Sequence, residues 1–180
     1  MKAKTWLDDQ EKRQKWMTFM QGFHPGIDPQ TIRLMDEMGF VSRSIYHLSD
    51  QSLDEAGMSF AQYRVLMHLA FAEQIGGRSE LNPSEISDRQ GVSRNTMSAF
   101  IRSLEDQGLV ERRLDPQDRR RFNISLTDRG RDVIRQNTRH HLETIDHCFH
   151  TLNADEMQDL IVLLQKLSVG VQALRQQAAT

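Results

Sequence analysis

Residues 81–130 constrain the fold of this chain more than any other stretch, because helix-capping, turn and strand signals follow one another there without a break. Asn82 is an N-cap residue with Pro83 at the first helical position, and Gly91 supplies the backbone angles of a sharp turn. Ser93 is the next N-cap residue and begins a second helix. The stretch therefore predicts a short helix, a tight turn and a longer helix.

The second helix, expected over 94–107, has one apolar and one polar face. Its apolar residues recur at spacings of four and three, at Met97, Ile101 and Leu104. The polar residues that share the opposite face are Arg94, Asn95, Ser98 and Arg102. Such a helix can hold a core with one side and offer hydrogen-bond donors and acceptors to the base edges of DNA with the other.

A β-hairpin with a basic turn is expected next. Residues 109–114 are typical of a strand, residues 115–118 are turn formers, and apolar residues alternate with polar ones over 122–126. Three arginines at 119–121 follow the turn, and its two aspartates can neutralise only part of their charge. An arginine cluster is more often a solvated surface, but one in this place is available to phosphates or to a narrow minor groove.

Five successive motifs together resemble the MarR family of bacterial transcription regulators. They are 82–86 (NPSEI), 92–96 (VSRNT), 104–110 (LEDQGLV), 115–120 (DPQDRR) and 124–130 (ISLTDRG). The resemblance implies a mainly α fold with a small antiparallel β wing, in which a winged helix-turn-helix domain is joined to a helical dimerisation region. It also implies a homodimer that binds a pseudo-palindromic operator in double-stranded DNA, usually as a repressor that a small molecule or oxidation releases.

The resemblance and the polarity of the second helix together indicate the DNA contacts. The side chains expected at major-groove base edges are Ser93, Arg94, Asn95, Thr96 and Ser98. Arg102 and Ser84 are expected at phosphates, and Arg119 or Arg120 in the minor groove. Asp118 is expected to steady the wing through a neighbouring arginine, as the family pattern implies. A winged helix can also serve as a protein-interaction module without DNA binding, which remains the alternative.

The rest of the chain is helical by pattern and carries more apolar surface than a small lobe can cover. We expect a helical arm and link over 1–27, a dimerisation region formed by 28–57 and 131–180, and a DNA-binding lobe over 58–130. The tryptophan-containing arm is expected to pack on the dimer partner. An intramolecular bundle is the alternative use of the long apolar stripes.

Composition excludes several other classes of protein. The net charge is −2, yet residues 93–121 carry seven arginines against five acidic residues, so positive charge is concentrated near the hairpin. No run of about 18 uncharged apolar residues occurs, and acidic residues stand where a signal peptide needs an apolar core. A soluble, cytoplasmic protein without membrane contact is expected. No catalytic motif or phosphate loop is present, so we expect neither enzymatic activity nor a cofactor.

The sequence gives only a weak indication of how the protein is regulated. Family members usually bind their effector between the dimerisation helices and the DNA-binding lobe. The residues suited there to a hydrophobic or phenolic molecule are Met35, Met38, Tyr46, His47, Tyr63 and Met67. Such residues are more often plain core.

Sensing of oxidation or of a metal is the alternative to a small effector. Cys148 is flanked by apolar helix positions, where a thiol is inert unless cations lie close. His147 and His150, with His140 and His141 nearby, could share one ion, although no cysteine cluster supports this and solvated histidines are commoner. The sequence therefore predicts no metal site.

Overall fold

The computed structural model of the protein describes residues 10–116, 118 and 120–177. Its elements in chain order are α1 (Gln10–Phe23), α2 (Pro29–Ser52), a 3-10 turn (Asp54–Ala56), α3 (Phe60–Gln74), α4 (Pro83–Gln90), α5 (Arg94–Asp106), β1 (Val110–Leu114), β2 (Phe122–Leu126), α6 (Asp128–Phe149) and α7 (Ala154–Gln177). The mainly α fold with a small antiparallel wing is confirmed. Arg119 and the first nine residues of the predicted arm lie outside the described residues.

One hydrophobic core joins α3, α4, α5 and the two strands into a lobe. The side chains at its centre, which are at most 2% exposed, are Val65, Leu66, Leu69, Leu81, Ile86, Met97, Ile101, Leu104 and Ile124. Burying each large aliphatic side chain contributes about 1.5–3 kcal/mol. Because α5 supplies its whole apolar stripe to this core, its polar stripe is left facing outward.

Local capping fixes where the helices of the lobe begin. The Asn82 side chain accepts a hydrogen bond from the Glu85 amide at 3.0 Å, and the Glu85 carboxylate accepts one from the Asn82 amide at 2.9 Å. Ser59 and Gln62 form the same reciprocal pair at the start of α3. After α4, Gly91 adopts φ 70°, a left-handed conformation that favours glycine, so the chain turns sharply into α5.

The wing is a two-stranded antiparallel sheet in which Arg112 stands opposite Ile124. Leu81 adds a single bridge to this sheet: the amides of Leu81 and Ile124 donate to each other's carbonyls at 3.0 and 2.8 Å. The chain leaves the sheet there because Asn82 must already cap α4.

Two helix boundaries differ from the sequence prediction. The helix α2 stops at Ser52 rather than near Gly57, because a 3-10 turn intervenes and Gly57 closes it at φ 65°. The helix α6 begins at Asp128, before residue 131 where the dimerisation region is expected to resume, because Thr127 caps it. The Thr127 side chain accepts the amide of Gly130 at 3.0 Å. The first turn of α6 is therefore built by capping rather than by apolar burial.

The start of α6 is pressed against the base of the wing. Thr127 donates its amide to the Leu109 carbonyl at 3.1 Å and its hydroxyl to the Gly108 carbonyl at 2.7 Å. A Cβ atom placed on Gly130 would lie 2.1 Å from the same Leu109 carbonyl oxygen. The glycine is required by this close approach of two backbones.

The arm α1 packs against α2 of its own chain. Arg13 donates to Asp36 at 2.6 Å and lies 2.9 Å from Glu37, and its guanidinium also covers the ring of Phe40 at 4.6 Å. The side chains of Arg13 and Asp36 are largely buried. The carboxylates of Glu37 and Asp36 raise the pKa of Arg13. Within one chain the arm is therefore tied to α2. In the part of the chain that the structure describes, no helix is long and apolar enough to cross a membrane.

Candidate nucleic-acid interface

The polar face of α5 is open to solvent over its whole length. All of its predicted DNA-contacting side chains are exposed, namely Arg94, Asn95, Thr96, Ser98 and Arg102. On the opposite side Met97, Ile101 and Leu104 are at most 1% exposed. The helix is therefore fixed by one face while the other presents guanidinium, amide and hydroxyl groups to a ligand.

Ser93 is occupied in the first turn of α5. Its side chain accepts the amide of Thr96 at 3.1 Å, and the two hydroxyls lie 2.8 Å apart. The two hydroxyls thus bond each other, and that of Ser93 also caps the backbone, while Arg94 and Asn95 are exposed beside them. Ser84, in the first turn of α4, is half-buried, and its carbonyl accepts the hydroxyl of Ser87 at 3.1 Å.

The turn of the wing is organised around Asp118. Its carboxylate accepts both the amide and the Nε of Arg120 at 3.1 Å, and its own amide donates to Asp115 at 3.0 Å. The contacts with Arg120 lower the pKa of Asp118, so its charge is held. The side chain of Arg120 is 92% exposed, so the aspartate orients a guanidinium that stays in solvent. The arginine contact expected for Asp118 is present.

The other arginines of the wing strands lie beside acidic or aromatic partners. Arg113 lies 2.7 Å from Glu111, and Arg112 lies 3.6 Å from Glu105 and covers the ring of Phe122 at 5.2 Å. These contacts leave Arg120, beyond the turn, as the more exposed positive group. The tip of the wing is therefore better placed than its base to meet a phosphate backbone.

A positioning contact of the helix-turn-helix is not visible in the sequence. Arg78, in the loop after α3, donates to both carboxylate oxygens of Glu85, at 2.7 and 3.1 Å. This bond lowers the pKa of Glu85, the residue that also caps α4 through Asn82. Nothing in the local pattern pairs residues seven apart across a loop, so only the folded chain reveals it.

The candidate effector residues differ widely in exposure and lie on different faces of α2 and α3. Met35 and Met38 are 57% and 39% exposed on α2, whereas Tyr63 is buried in the core and Met67 is half-buried. His47 lies nine residues after Met38 and thus on the opposite side of the helix. Its ring pairs with Gln51 at 3.1 Å instead.

An aromatic cluster lies where α2, α3 and α6 meet. The Tyr46 ring stands edge-on to Phe60 at 5.0 Å, and His141 lies 5.1 Å from Phe60 and 5.4 Å from Tyr63. Two members, Tyr46 and Tyr63, were candidate effector residues. Phe60 and His141 were not, because the helices that carry them are brought together only by folding.

His141 is held in this cluster as a neutral ring. Its Nδ1 lies 3.0 Å from Ser52 Oγ, and that hydroxyl donates its one proton to the Ser49 carbonyl at 2.8 Å. His141 Nδ1 must therefore be the donor. Burial lowers the pKa of His141, and the neighbouring His140 lowers it further. Tyr63 closes the cluster by donating to Thr138 at 2.6 Å, since the Thr138 hydroxyl itself donates to the Ile134 carbonyl.

Stability is expected to depend on pH through this histidine. The unfolded chain binds a proton at His141 more readily than the folded chain, so stability is fully present above the ordinary histidine pKa of about 6.5 and falls as the pH drops below it. Urea unfolding at pH 7.5, 6.5 and 5.5 measures this. His68, whose pKa burial also lowers, contributes in the same direction. His141→Gln should therefore reduce the dependence of the unfolding free energy on pH without abolishing it. If the unfolding free energies of the variant and the parent fell equally with pH, His141 would not be the buried neutral group described.

The thiol of Cys148 is bonded within its own helix. Its side chain is half-buried and its thiol donates to the Thr144 carbonyl at 3.5 Å within α6. Among the described residues, no hydrogen bond or ion pair joins this thiol to a cationic side chain, the kind of neighbour that makes cysteines reactive. The geometry gives no support to oxidation at this residue.

The sequence of the lobe matches a known protein family. Residues 56–121, which include α3, α4, α5 and the first strand of the wing, match the model of the MarR family. This part of the chain resembles the MarR family of regulators. The relatives and solved structures that it matches are transcription regulators and not enzymes. The chain is 26% identical over 151 residues to the HTH-type transcriptional repressor YetL of Bacillus subtilis. The aligned part makes up 81% of this chain and 87% of YetL.

Another relative and two solved structures align over most of the chain. It is 28% identical to the HTH-type transcriptional regulator SarZ of Staphylococcus epidermidis, over 69% of this chain and 78% of SarZ. The solved complex of Staphylococcus aureus MepR with DNA aligns with a TM-score of 0.65 at 26% identity, over 74% of this chain and 94% of MepR. A MarR-family regulator of Streptomyces coelicolor, also solved in complex with DNA, aligns with a TM-score of 0.71 at 22% identity, over 81% and 90% of the two chains.

Proposed function

We propose that this protein is a homodimeric MarR-type repressor that binds a pseudo-palindromic operator in double-stranded DNA and is released by a small hydrophobic or phenolic effector. The observation that carries DNA binding is the continuous exposed polar face of α5 beside an exposed arginine at the wing. MepR, which shares this fold, is solved with DNA bound. YetL, a relative over most of the chain, is named a repressor.

The side chains fall into three groups in the proposed complex. Arg94, Asn95 and Ser98 reach base edges in the major groove, where an arginine can bind guanine through two hydrogen bonds. Ser93 and Thr96, whose hydroxyls are paired, hold the first turn of α5 and join this contact through their outer lone pairs. The groups assigned to the DNA backbone and the minor groove are Ser84, Arg102, Arg119 and Arg120, with Asp118 holding the wing.

An electrophoretic mobility shift assay on the DNA upstream of the protein's own gene tests this function. We expect a specific complex whose affinity falls steeply with salt, because each phosphate contact releases counterions. Adding phenolic compounds to the same assay tests effector release. Absence of any salt-sensitive complex would contradict DNA binding and favour a protein-interaction module, whereas a complex that no phenol dissolves would contradict only the proposed effector class.

Dimerisation is proposed from the unpaired surface of α7. This helix has no buried residue in one chain, yet its apolar positions recur every three or four residues. The residues of this heptad stripe, which are 37–67% exposed, are Met157, Leu160, Leu164, Leu167, Val171 and Leu174. A stripe of this length costs free energy in water and is typical of a helix that packs against another. A second copy of the chain supplies such a helix and spaces two copies of α5 along one turn of DNA.

Leu164→Glu is expected to convert the dimer into a monomer. It places a charge in the middle of the stripe, where burial of an unpaired carboxylate is unfavourable. Sedimentation velocity measures the change in mass, and operator affinity should fall with it, since one copy of α5 reads only half a site.

Gln158→Glu is the matched control for this prediction. It adds the same charge to the same helix, on the side that faces away from the heptad stripe, so it should remain dimeric. A Leu164→Glu protein that stays dimeric would show that α7 is not the interface.

The effector is proposed to act at the aromatic cluster between α2, α3 and α6. Tyr46, Tyr63 and His141 give this cluster an apolar body with hydroxyl and imidazole groups, which suits a phenol. The exposed Met35 and Met38 lie on the same helix as Tyr46, and a partner chain against α2 would close them into the site. Since α6 connects the cluster to the base of the wing, movement there would change the separation of the two reading helices.

A further inference from the structure

We propose that Asp146, His147 and His150 form a binding site for a divalent transition-metal ion such as Zn²⁺ on the last turn of α6. One ligand atom from each residue lies within 4.8 Å of the others, and all three side chains are exposed. The sequence prediction of no metal site considered the two histidines without the aspartate. Folding α6 through residue 149 adds Asp146 to the same side, four residues before His150.

The aspartate and the second histidine already have the spacing of two ligands on one ion. Asp146 Oδ2 lies 2.9 Å from His150 Nε2. Two ligand atoms at about 2.1 Å from a common metal, separated by about 90–110°, are about 3.0–3.4 Å apart. An ion would therefore take the place of the single proton that now lies between these two atoms, and that proton would pass to solvent.

The first histidine is oriented as metal-binding histidines usually are. His147 Nδ1 lies 2.8 Å from the Glu143 carbonyl oxygen. A carbonyl only accepts, so Nδ1 carries the proton and Nε2 keeps a free lone pair. A backbone carbonyl that fixes the ring in this way is a common outer contact of zinc ligands. The His147 and His150 rings lie 5.0 Å apart, close enough for rotation of the exposed side chains to bring both to one ion.

The chemistry of the donors selects the class of metal. Two imidazoles and one carboxylate suit Zn²⁺, Ni²⁺ or Cu²⁺ rather than Ca²⁺ or Mg²⁺, which prefer oxygen ligands alone. Three protein ligands leave the remaining positions of the ion to water. The site would clamp residues 146–150, directly before the turn into α7, and so would stiffen the corner between the two helices.

Isothermal titration of the full-length protein with ZnCl₂ tests the site. We expect one Zn²⁺ per chain, with the affinity lowered at least about tenfold in His147→Gln and in His150→Gln. His140→Gln is the matched control, because His140 is exposed on the same helix and lies outside the cluster. The affinity of the His140→Gln protein for Zn²⁺ should equal that of the parent. Equal losses in all three variants, or no loss in any, would overturn the proposal.

A second measurement separates binding at this site from adventitious binding elsewhere. An ion that binds the folded chain raises its unfolding temperature. We expect ZnCl₂ to raise the unfolding temperature of the parent and of the His140→Gln protein, and to leave that of the His147→Gln/His150→Gln double variant unchanged. An equal rise in the double variant would place the ion at another site and overturn the proposal. Neither measurement depends on operator binding, so both stand apart from the proposed repressor function.

Discussion

Gly130→Ala is expected to lower the free energy of unfolding by about 3 kcal/mol or more. The added Cβ would lie 2.1 Å from the Leu109 carbonyl oxygen, and this oxygen belongs to the backbone and cannot swing aside like a side chain. It also accepts the Thr127 amide at 3.1 Å, so moving it breaks a bond that joins α6 to the wing. Urea unfolding followed by circular dichroism measures the loss, and operator affinity should decline as the lobe unfolds.

Gly22→Ala provides the control for this prediction. Gly22 is also helical, near the end of α1, and no atom lies within 4 Å of the position its Cβ would take. Alanine there should leave stability unchanged or raise it by up to about 1 kcal/mol, because glycine is the poorer helix former. A Gly130→Ala protein as stable as Gly22→Ala would show that α6 does not approach the wing as described.

The double variant Arg119→Ala with Arg120→Ala is expected to lose at least about tenfold in operator affinity at near-physiological salt while remaining dimeric. Each arginine that meets a phosphate or enters the minor groove releases counterions, so the slope of log affinity against log salt should become shallower by up to about 2. Asp118 would lose the bond from Arg120 Nε at 3.1 Å and keep the one from the backbone amide of residue 120, so the turn should loosen only in part. Fluorescence anisotropy with a labelled operator over a salt series measures both effects.

Arg135→Ala with Arg139→Ala removes the same charge from a different surface. Both residues are exposed on α6, Arg135 beside Asp132 and Arg139 at 2.8 Å from Glu143. Exposed pairs of this kind contribute little to stability, so the control should fold and bind the operator nearly as the parent does. If the two double variants lose affinity equally, the effect belongs to net charge and the wing assignment is wrong.

Sequence reasoning predicted best where the interaction is local. Asn82 caps α4 and Ser93 caps α5, as their residue types predict, each by accepting an amide three residues further along the chain. The return strand, predicted over 122–126, is found there. In each case the partners are neighbours in the chain, so the residue types alone define the contact.

Contacts between distant segments could not be found in this way. His141 meets Ser52 from 89 positions away, and Arg131 meets Glu73 across 58 positions at 3.0 Å. The sequence placed His141 among four possible metal ligands, whereas folding buries it against aromatic rings. It also grouped His47 with Met38, although the helix turns them to opposite sides. Periodicity finds the face of a helix but not the element that will cover it.

The sequence by itself determined the elements of this regulator and the chemistry of its reading face. Capping, turn formation and the alternation of Met97, Ile101 and Leu104 with polar residues depend on contacts within one or two turns, and they hold in any fold that keeps the helix. Tertiary structure alone decided which backbones meet and which side chains lose water. The approach of Gly130 to Leu109 and the burial of His141 arise only when helices far apart in the chain pack together, because both depend on distances that no local pattern encodes.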